Sequence, residues 1–231
     1  TSMKAATAIR ETISGPEQVA ILHRDFSGDV SFEEKVIPLN GLFADEKFFN
    51  VFSFELLEGN AATALVEPFS VVLTEESAKK LFNDVHVLGK TILLNYDRAY
   101  TITGVMKNVP KFSHMQFDML GSLSTREITE KDRLEEEMAW NNMWSTYAYL
   151  VMPEKADLNA LQVNLDRLSE REDKTVKDTH IKLSLQPIDD IITGDNLSNQ
   201  LGPTMGKTAI RVFSIMAFIL ILSACFKNTN L

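Results

Sequence analysis

Ser70-Val-Val-Leu-Thr-Glu-Glu-Ser-Ala-Lys-Lys-Leu-Phe82 changes its hydrophobic period partway along, and that change decides the fold class. Its first four residues form a short apolar run, the mark of a strand buried on both faces. Thr74 can then accept a hydrogen bond from the first turn of a helix, and Glu75 and Glu76 place carboxylates where the helix dipole favours them. Ala78, Leu81 and Phe82 supply the apolar face. A buried strand running straight into a capped amphipathic helix predicts a domain built of both strands and helices.

The flanks extend the pattern in both directions. Upstream, Met3, Ala6, Ile9 and Ile13 fall at helical spacing and Gly15-Pro16 ends that helix. Residues 18–26 and 32–43 read as strands around the turn-prone Ser27-Gly28-Asp29. Phe43, Phe48, Phe49, Phe52 and Phe54 follow, five of the 14 phenylalanines in one short block, which predicts core. Downstream, residues 91–94 and 100–105 flank Asn95-Tyr96-Asp97-Arg98 as a hairpin, and a further strand is expected over 115–123. Residues 126–137 read as a charged, solvated helix and 145–152 as a strand closed by Pro153. Asp157 caps a helix with Leu158, Leu161, Leu165 and Leu168 on one stripe, and 181–185 is expected as a last strand.

The tail has a different character. From Val212 to Phe226 there is no charge, Pro or Gly. A helix needs about 20 apolar residues to cross a bilayer, whereas runs of about 10–14 suit a buried core helix or a re-entrant segment. This run, with five residues after it, reads as a membrane helix cut short, with a core helix as the alternative. Lys227 arrives early for a span that begins at Val212. Either it snorkels or faces a partner helix, or the helix starts near Thr208 and Arg211 marks the outer interface.

Composition removes several function classes. Lys plus Arg number 23 against 32 Asp plus Glu, a formal charge of −9, so nucleic acid and anionic headgroups are not the expected partners. Cys225 is the single cysteine, which excludes an internal disulfide and a thiolate cluster. The opening Thr1-Ser2-Met3-Lys4 has no apolar h-region, so an exported domain would need its signal upstream.

No constellation for chemistry emerges. Gly202-Pro-Thr-Met-Gly206-Lys207-Thr208 imitates a phosphate-binding loop but has three residues where four are required. Ser113-His114 with Asp118 lacks the elbow of a hydrolase and reads as a strand-end fixture. His23, His86, His114 and His180 are too dispersed for a zinc site. Asn196-Leu197-Ser198 fits a glycosylation sequon that is too short to carry weight. The expectation is a chain that is not an enzyme, with no catalytic, cofactor-binding or metal-binding residues.

One ordered series of short motifs is more specific. Ala44-Asp45, Phe48-Phe49, Phe52-Ser53-Phe54 and Leu57-Glu58-Gly59 come first. Pro68, residues 70–75, Ala78, Leu81-Phe82, Leu88-Gly89-Lys90 and Thr103-Gly104-Val105 follow. Pro110, Ser113-His114, Phe117-Asp118 and later Leu185-Gln186-Pro187-Ile188 complete the series. In this order they resemble the MacB-like periplasmic core domain of FtsX-like ABC transporter permeases, in the form common among Bacteroidetes. The resemblance implies an α+β extracytoplasmic domain of two subdomains followed by the start of a transmembrane helix. A porter-like α/β part would come from 1–43 and 143–188, and a more β-rich inserted part from 44–142. Residues 189–211 would be a linker or stalk, and 212–231 the beginning of the second membrane helix.

The same resemblance implies a place in the bacterial inner membrane, with this region in the periplasm. Implied partners are a second permease subunit forming a dimer, a cytoplasmic ABC ATPase that would bind the ATP, and a periplasmic adaptor or outer-membrane component. The expected function is non-catalytic: coupling cytoplasmic ATP hydrolysis to periplasmic movement for export, efflux or mechanotransmission. The alternatives are an extracytoplasmic sensory or ligand-binding domain of a membrane receptor, and a membrane-anchored hydrolase.

Overall fold

A computed structural model describes residues 1–133, 136, 138–194, 199–202 and 206–229. Two compact units divide the chain: Thr1–Pro110 with Phe117–Ser184, and Lys111–Gln116 with Leu185–Leu231.

The larger unit is built on one ten-stranded mixed sheet. Its strands are β1 (Gln18–His23), β2 (Gly28–Phe32), β3 (Lys35–Leu39), β4 (Gly41–Ala44), β5 (Leu56–Gly59), β6 (Ser70–Thr74), β7 (Thr91–Leu94), β8 (Arg98–Met106), β9 (Met119–Ser122) and β10 (Thr146–Val151). They lie in the order β10-β1-β4-β9-β6-β8-β7-β2-β3, with β5 also paired to the long β8. The β4–β9 and β6–β8 pairs are parallel and the others antiparallel. Helices α1 (Met3–Thr12), α2 (Phe48–Val51), α3 (Glu75–Phe82), α4 (Ser124–Thr129) and α5 (Leu158–Asp173) complete this unit. The smaller unit holds α6 (Asp190–Thr193) and α7 (Lys207–Thr229).

The 70–82 stretch does what its pattern dictates. All five residues of β6 are buried at the centre of the sheet. The Thr74 hydroxyl accepts from Ser77 N–H at 3.3 Å and opens α3. Asn83, in the left-handed region at φ 58°, closes it. Ala78 and Leu81 sink into a cluster with Val71, Leu73, Phe26 and Tyr100. On another front, Phe48 stacks 5.5 Å from Phe54 and meets Phe52 at 5.0 Å; Phe43, Phe48 and Phe52 are core as expected, while Phe49 and Phe54 are half-buried.

Several expectations are refined. Residues 28–32 form a strand rather than a turn, since Gly28 and Asp29 pair with Leu39 and Pro38. The reversal comes later, where Glu33 sits at φ 52°. The expected strand over 32–43 breaks at Asn40, whose N–H donates to the Asp118 carboxylate at 3.0 Å, leaving β3 and β4 separate. The Asn95-Tyr96 turn has positive φ at both positions, 52° and 66°, as a tight hairpin between β7 and β8 requires. The charged helix expected over 126–137 is α4 followed by a short 3-10 turn, Lys131–Arg133; residues 134, 135 and 137 lie outside the described residues.

The strand expected over 181–185 joins no sheet. Polar side chains of α5 take its backbone instead: Ile181 N–H donates to Asp173 at 2.6 Å and Leu183 N–H to the Ser169 hydroxyl at 3.0 Å. The Leu183 carbonyl accepts from Gln162 at 2.9 Å. Hydrophobic pattern alone cannot distinguish ladder hydrogen bonds from such a clamp.

Candidate functional site

In the smaller unit the outstanding element is α7. Its 23 residues rise about 34 Å at the usual α-helical spacing, enough for a hydrocarbon core of about 30 Å. The Lys207–Cys225 part has a mean hydropathy of 2.1 and none of it is buried. Phe213, Ile215, Phe218 and Leu220 are each 60% exposed or more, an arrangement water would penalise and lipid would not. The helix begins at Lys207, five residues ahead of the uncharged run, in agreement with the earlier start near Thr208. Lys207 and Lys227 are then twenty positions apart, or about 30 Å along the axis.

The imitation phosphate loop ends in that helix. Residues 203–205 lie outside the described residues. Lys207 is the first residue of α7, and its Nζ pairs with the Asp190 carboxylate at 3.5 Å. Gly202 packs so closely on the loop 111–116 that a Cβ there would meet the His114 carbonyl oxygen at 2.5 Å.

The larger unit carries an open cleft of about 760 Å³. Phe26 is central to it. The chain leaves β1, crosses the sheet and drops this ring over Gly121, where a Cβ would come within 2.6 Å of it. Phe26 lies 4.6 Å from Phe43 and 5.1 Å, edge-on, from Tyr100, and these three rings make an apolar floor. The walls are charged. Asn95 and Asp97 come from the β7–β8 turn, Arg98 from the first position of β8, Arg126 from α4, and Glu130, Arg133 and Glu136 from the segment after it. Arg126 sits 5.6 Å over the Phe43 ring, and Arg133 bridges Glu130 at 3.7 Å and Glu136 at 3.5 Å. Trp144 stands 61% exposed among the lining residues. The buried Tyr100 hydroxyl makes no hydrogen bond of good geometry among the described residues. Burial pushes its pKa up, and nearby Arg98 only partly opposes this.

Such a cleft suits a polar ligand that both donates and accepts hydrogen bonds above an apolar base. Its described lining pairs carboxylates, guanidinium groups and hydroxyls with these rings and includes no His or Cys. Its residues are scattered between 25 and 145, and no local spacing in the sequence announces them.

The dispersed polar residues serve local structure. Asp118 holds Asn40 at the head of β9. Ser113 accepts from Met115 N–H at 3.4 Å, and burial lowers the pKa of His114. His86 pairs with Glu58, and His180 with Asp173 at 3.0 Å; each carboxylate raises its partner's pKa. His23 Nδ1 lies against the Arg24 carbonyl. Among the described residues no three His, Cys, Asp or Glu side chains gather as a metal site. The sequon at 196–198 lies outside the described residues.

With this geometry in place, comparison with known proteins is informative. The sequence profile of the MacB-like periplasmic core domain matches residues 1–168. A solved domain assigned to a permease of Porphyromonas gingivalis is 25% identical, covering 78% of this chain and 83% of that one with a TM-score of 0.63. The periplasmic region of MacB from Actinobacillus actinomycetemcomitans is 18% identical over 75% of this chain and 73% of its own, TM-score 0.53. The extracellular domain of the noncanonic ABC-type transporter YknZ from Gram-positive bacteria is 11% identical over 76% and 83%, TM-score 0.54. The last two likenesses speak to fold alone. No curated protein sequence matches the chain.

Proposed function

The chain belongs to the MacB-like periplasmic core domain family, and from that premise we propose that it couples ATP hydrolysis in the cytoplasm to movement outside the membrane. It is the periplasmic domain of a MacB-like ABC transporter permease, and the coupling is our reading of how that domain works. The observation that carries the reading is α7, an apolar helix with none of its span buried, following the folded domain in the chain. A helix of that length and composition conveys displacement between a bilayer and the domain attached to it.

In this reading the permease subunit pairs with a second copy in the bacterial inner membrane. ATP binds a separate cytoplasmic ABC ATPase, and the chain itself contributes no catalytic, cofactor or metal residue. Closure of the ATPase brings the paired membrane helices together, and the periplasmic domains follow, pressing on cargo, on an adaptor or on an outer-membrane component. The division into a porter-like part (1–43 and 143–188), an inserted part (44–142) and a stalk (189–211) belongs to the same proposal. It supplies the segments that would move relative to one another.

Spin labels on the two copies in the reconstituted complex test this. Inter-label distances in the periplasmic domains should differ between the nucleotide-free and ATP-trapped states. Identical distance distributions in both states would sink the coupling reading. The cleft beside Tyr100 favours a second reading, a sensory module that binds a polar ligand; there, distances would respond to that ligand and not to nucleotide.

A further inference from the structure

Phe112 is 92% exposed, more than any other large hydrophobic side chain among the described residues, those of α7 included. Single exposed apolar residues are common on soluble surfaces and need no explanation. This one differs in how it is held. Its loop, Lys111–Gln116, is tied down from behind: Met115 is fully buried and Gln116 donates to the Ser113 carbonyl at 3.3 Å. The ring therefore stands out from an anchored loop rather than trailing from a loose one.

The loop belongs to the same compact unit as the membrane helix. The His114 carbonyl packs against Gly202, and five residues later α7 begins. At about 3.3–3.6 Å per residue, the chain between Gly202 and Lys207 spans at most about 18 Å. A second contact fixes the entrance to the helix: Asp190, in α6, pairs with Lys207 at 3.5 Å. Two residues before α6, Ile188 is 53% exposed. The unit thus presents two apolar side chains, Phe112 and Ile188, beside the start of a helix suited to lipid. Lys111, adjacent to Phe112, is a cation whose aliphatic stem can lie along apolar surface while its ammonium stays in water.

We propose that Phe112, supported by Ile188, is a membrane-interface anchor that inserts into the headgroup–acyl boundary of the outer leaflet where α7 enters. The partner is a lipid surface. The attraction is burial of apolar area at the interface, the mode of aromatic and aliphatic residues on interfacial segments, and does not need an anionic headgroup. Anchoring there would fix the angle at which motion of α7 reaches the domain. The proposal rests on the reading of α7 as membrane-spanning, and its test separates the two.

In the full chain carrying Cys225→Ser, reconstituted in nanodiscs of phosphatidylethanolamine and phosphatidylglycerol at 3:1, a fluorophore is placed at one of three single cysteines. Ser113→Cys reports next to an intact Phe112, Ile215→Cys reports from within α7, and Tyr96→Cys reports from the β7–β8 turn. Lipids with a nitroxide near the headgroup should quench the label at 113 at least twofold more than the label at 96. Phe112→Asp should return the 113 label to the level at 96; the side chain is exposed, so this variant keeps its fold. Quenching at 113 equal to that at 96, or unaffected by Phe112→Asp, overturns the anchor while quenching at 215 upholds the membrane helix. Because position 215 lies about 12 Å below the helix start, its label is read with lipids that carry the nitroxide on the acyl chain, and an unquenched label there overturns the membrane helix and the anchor with it.

Discussion

Asp45 carries a carboxylate into the core, where it is 4% exposed. Its Oδ2 accepts from Ile21 N–H at 2.9 Å and faces Arg10 at 3.3 Å, while Oδ1 accepts from Lys47 N–H at 3.2 Å. One side chain thereby joins β1, α1 and the start of α2. Desolvation raises its pKa from 3.8 to about 6; the backbone donors and Arg10 offset this only in part, and Glu46 adds to it. A folded-state pKa above the unfolded value means that the folded protein holds this proton more tightly. The contribution to stability is complete below about pH 4 and is lost as the pH rises through about 6. The full swing is two pK units, or about 3 kcal/mol at most. Asp45→Asn cannot titrate, so between pH 4 and pH 7.5 the stability difference should shift in favour of the variant by up to that amount. Urea denaturation of both proteins at the two pH values measures it. An unchanged difference would mean that folding leaves the Asp45 pKa where the unfolded chain has it.

Helix α5 shows what sequence reveals about an element and what it conceals. Its start is legible in Asp157, which accepts from Asn159 and Ala160 N–H groups at 3.0 Å. Its buried stripe is legible in Leu161, Leu165 and Leu168, although Leu158 at the first position is 53% exposed. The segment bonded to this helix reads as a strand because Ile181 and Leu183 alternate with polar residues, yet its backbone pairs with side chains of α5. Whether a backbone finds another strand or a set of side chains depends on tertiary placement, and Gln162, Ser169 and Asp173 look like ordinary surface residues until the segment lies against them. The cleft was hidden for the same reason. Phe26 reads as the end of a strand, yet it is a ring set over Gly121 by a crossing that pattern does not encode. The clamp makes a measurable claim. Ser169→Ala removes the acceptor for Leu183 N–H, so amide exchange at Leu183 should quicken about tenfold, the worth of one hydrogen bond of about 1–1.5 kcal/mol. Helix content by circular dichroism should hold. Unchanged exchange at Leu183 would show that neighbouring packing, and not the hydroxyl, protects this segment.

At the scale of the whole molecule, the unlike surfaces of the two units set their solvents. The folded sheet buries its apolar strands and is legible from the 70–82 switch outward. The apolar tail is legible as a helix, and the early arrival of Lys227 points to a start near Thr208, one residue from Lys207 where the helix begins. Since none of the Lys207–Cys225 span is buried, its removal uncovers no core. The ion pair it gives up, Lys207 with Asp190, joins side chains 61% and 50% exposed, and such pairs are worth about 0–1 kcal/mol. For a chain of this size that corresponds to a Tm change of at most about 2–4 °C. The fragment 1–206 should therefore unfold within that margin of the full chain and sediment as a single species without detergent. The full chain should need detergent or lipid to do so. A fall in Tm well beyond 4 °C, or aggregation of the fragment, would show that α7 packs on the folded domain as a core helix, and the membrane reading would fall with that result.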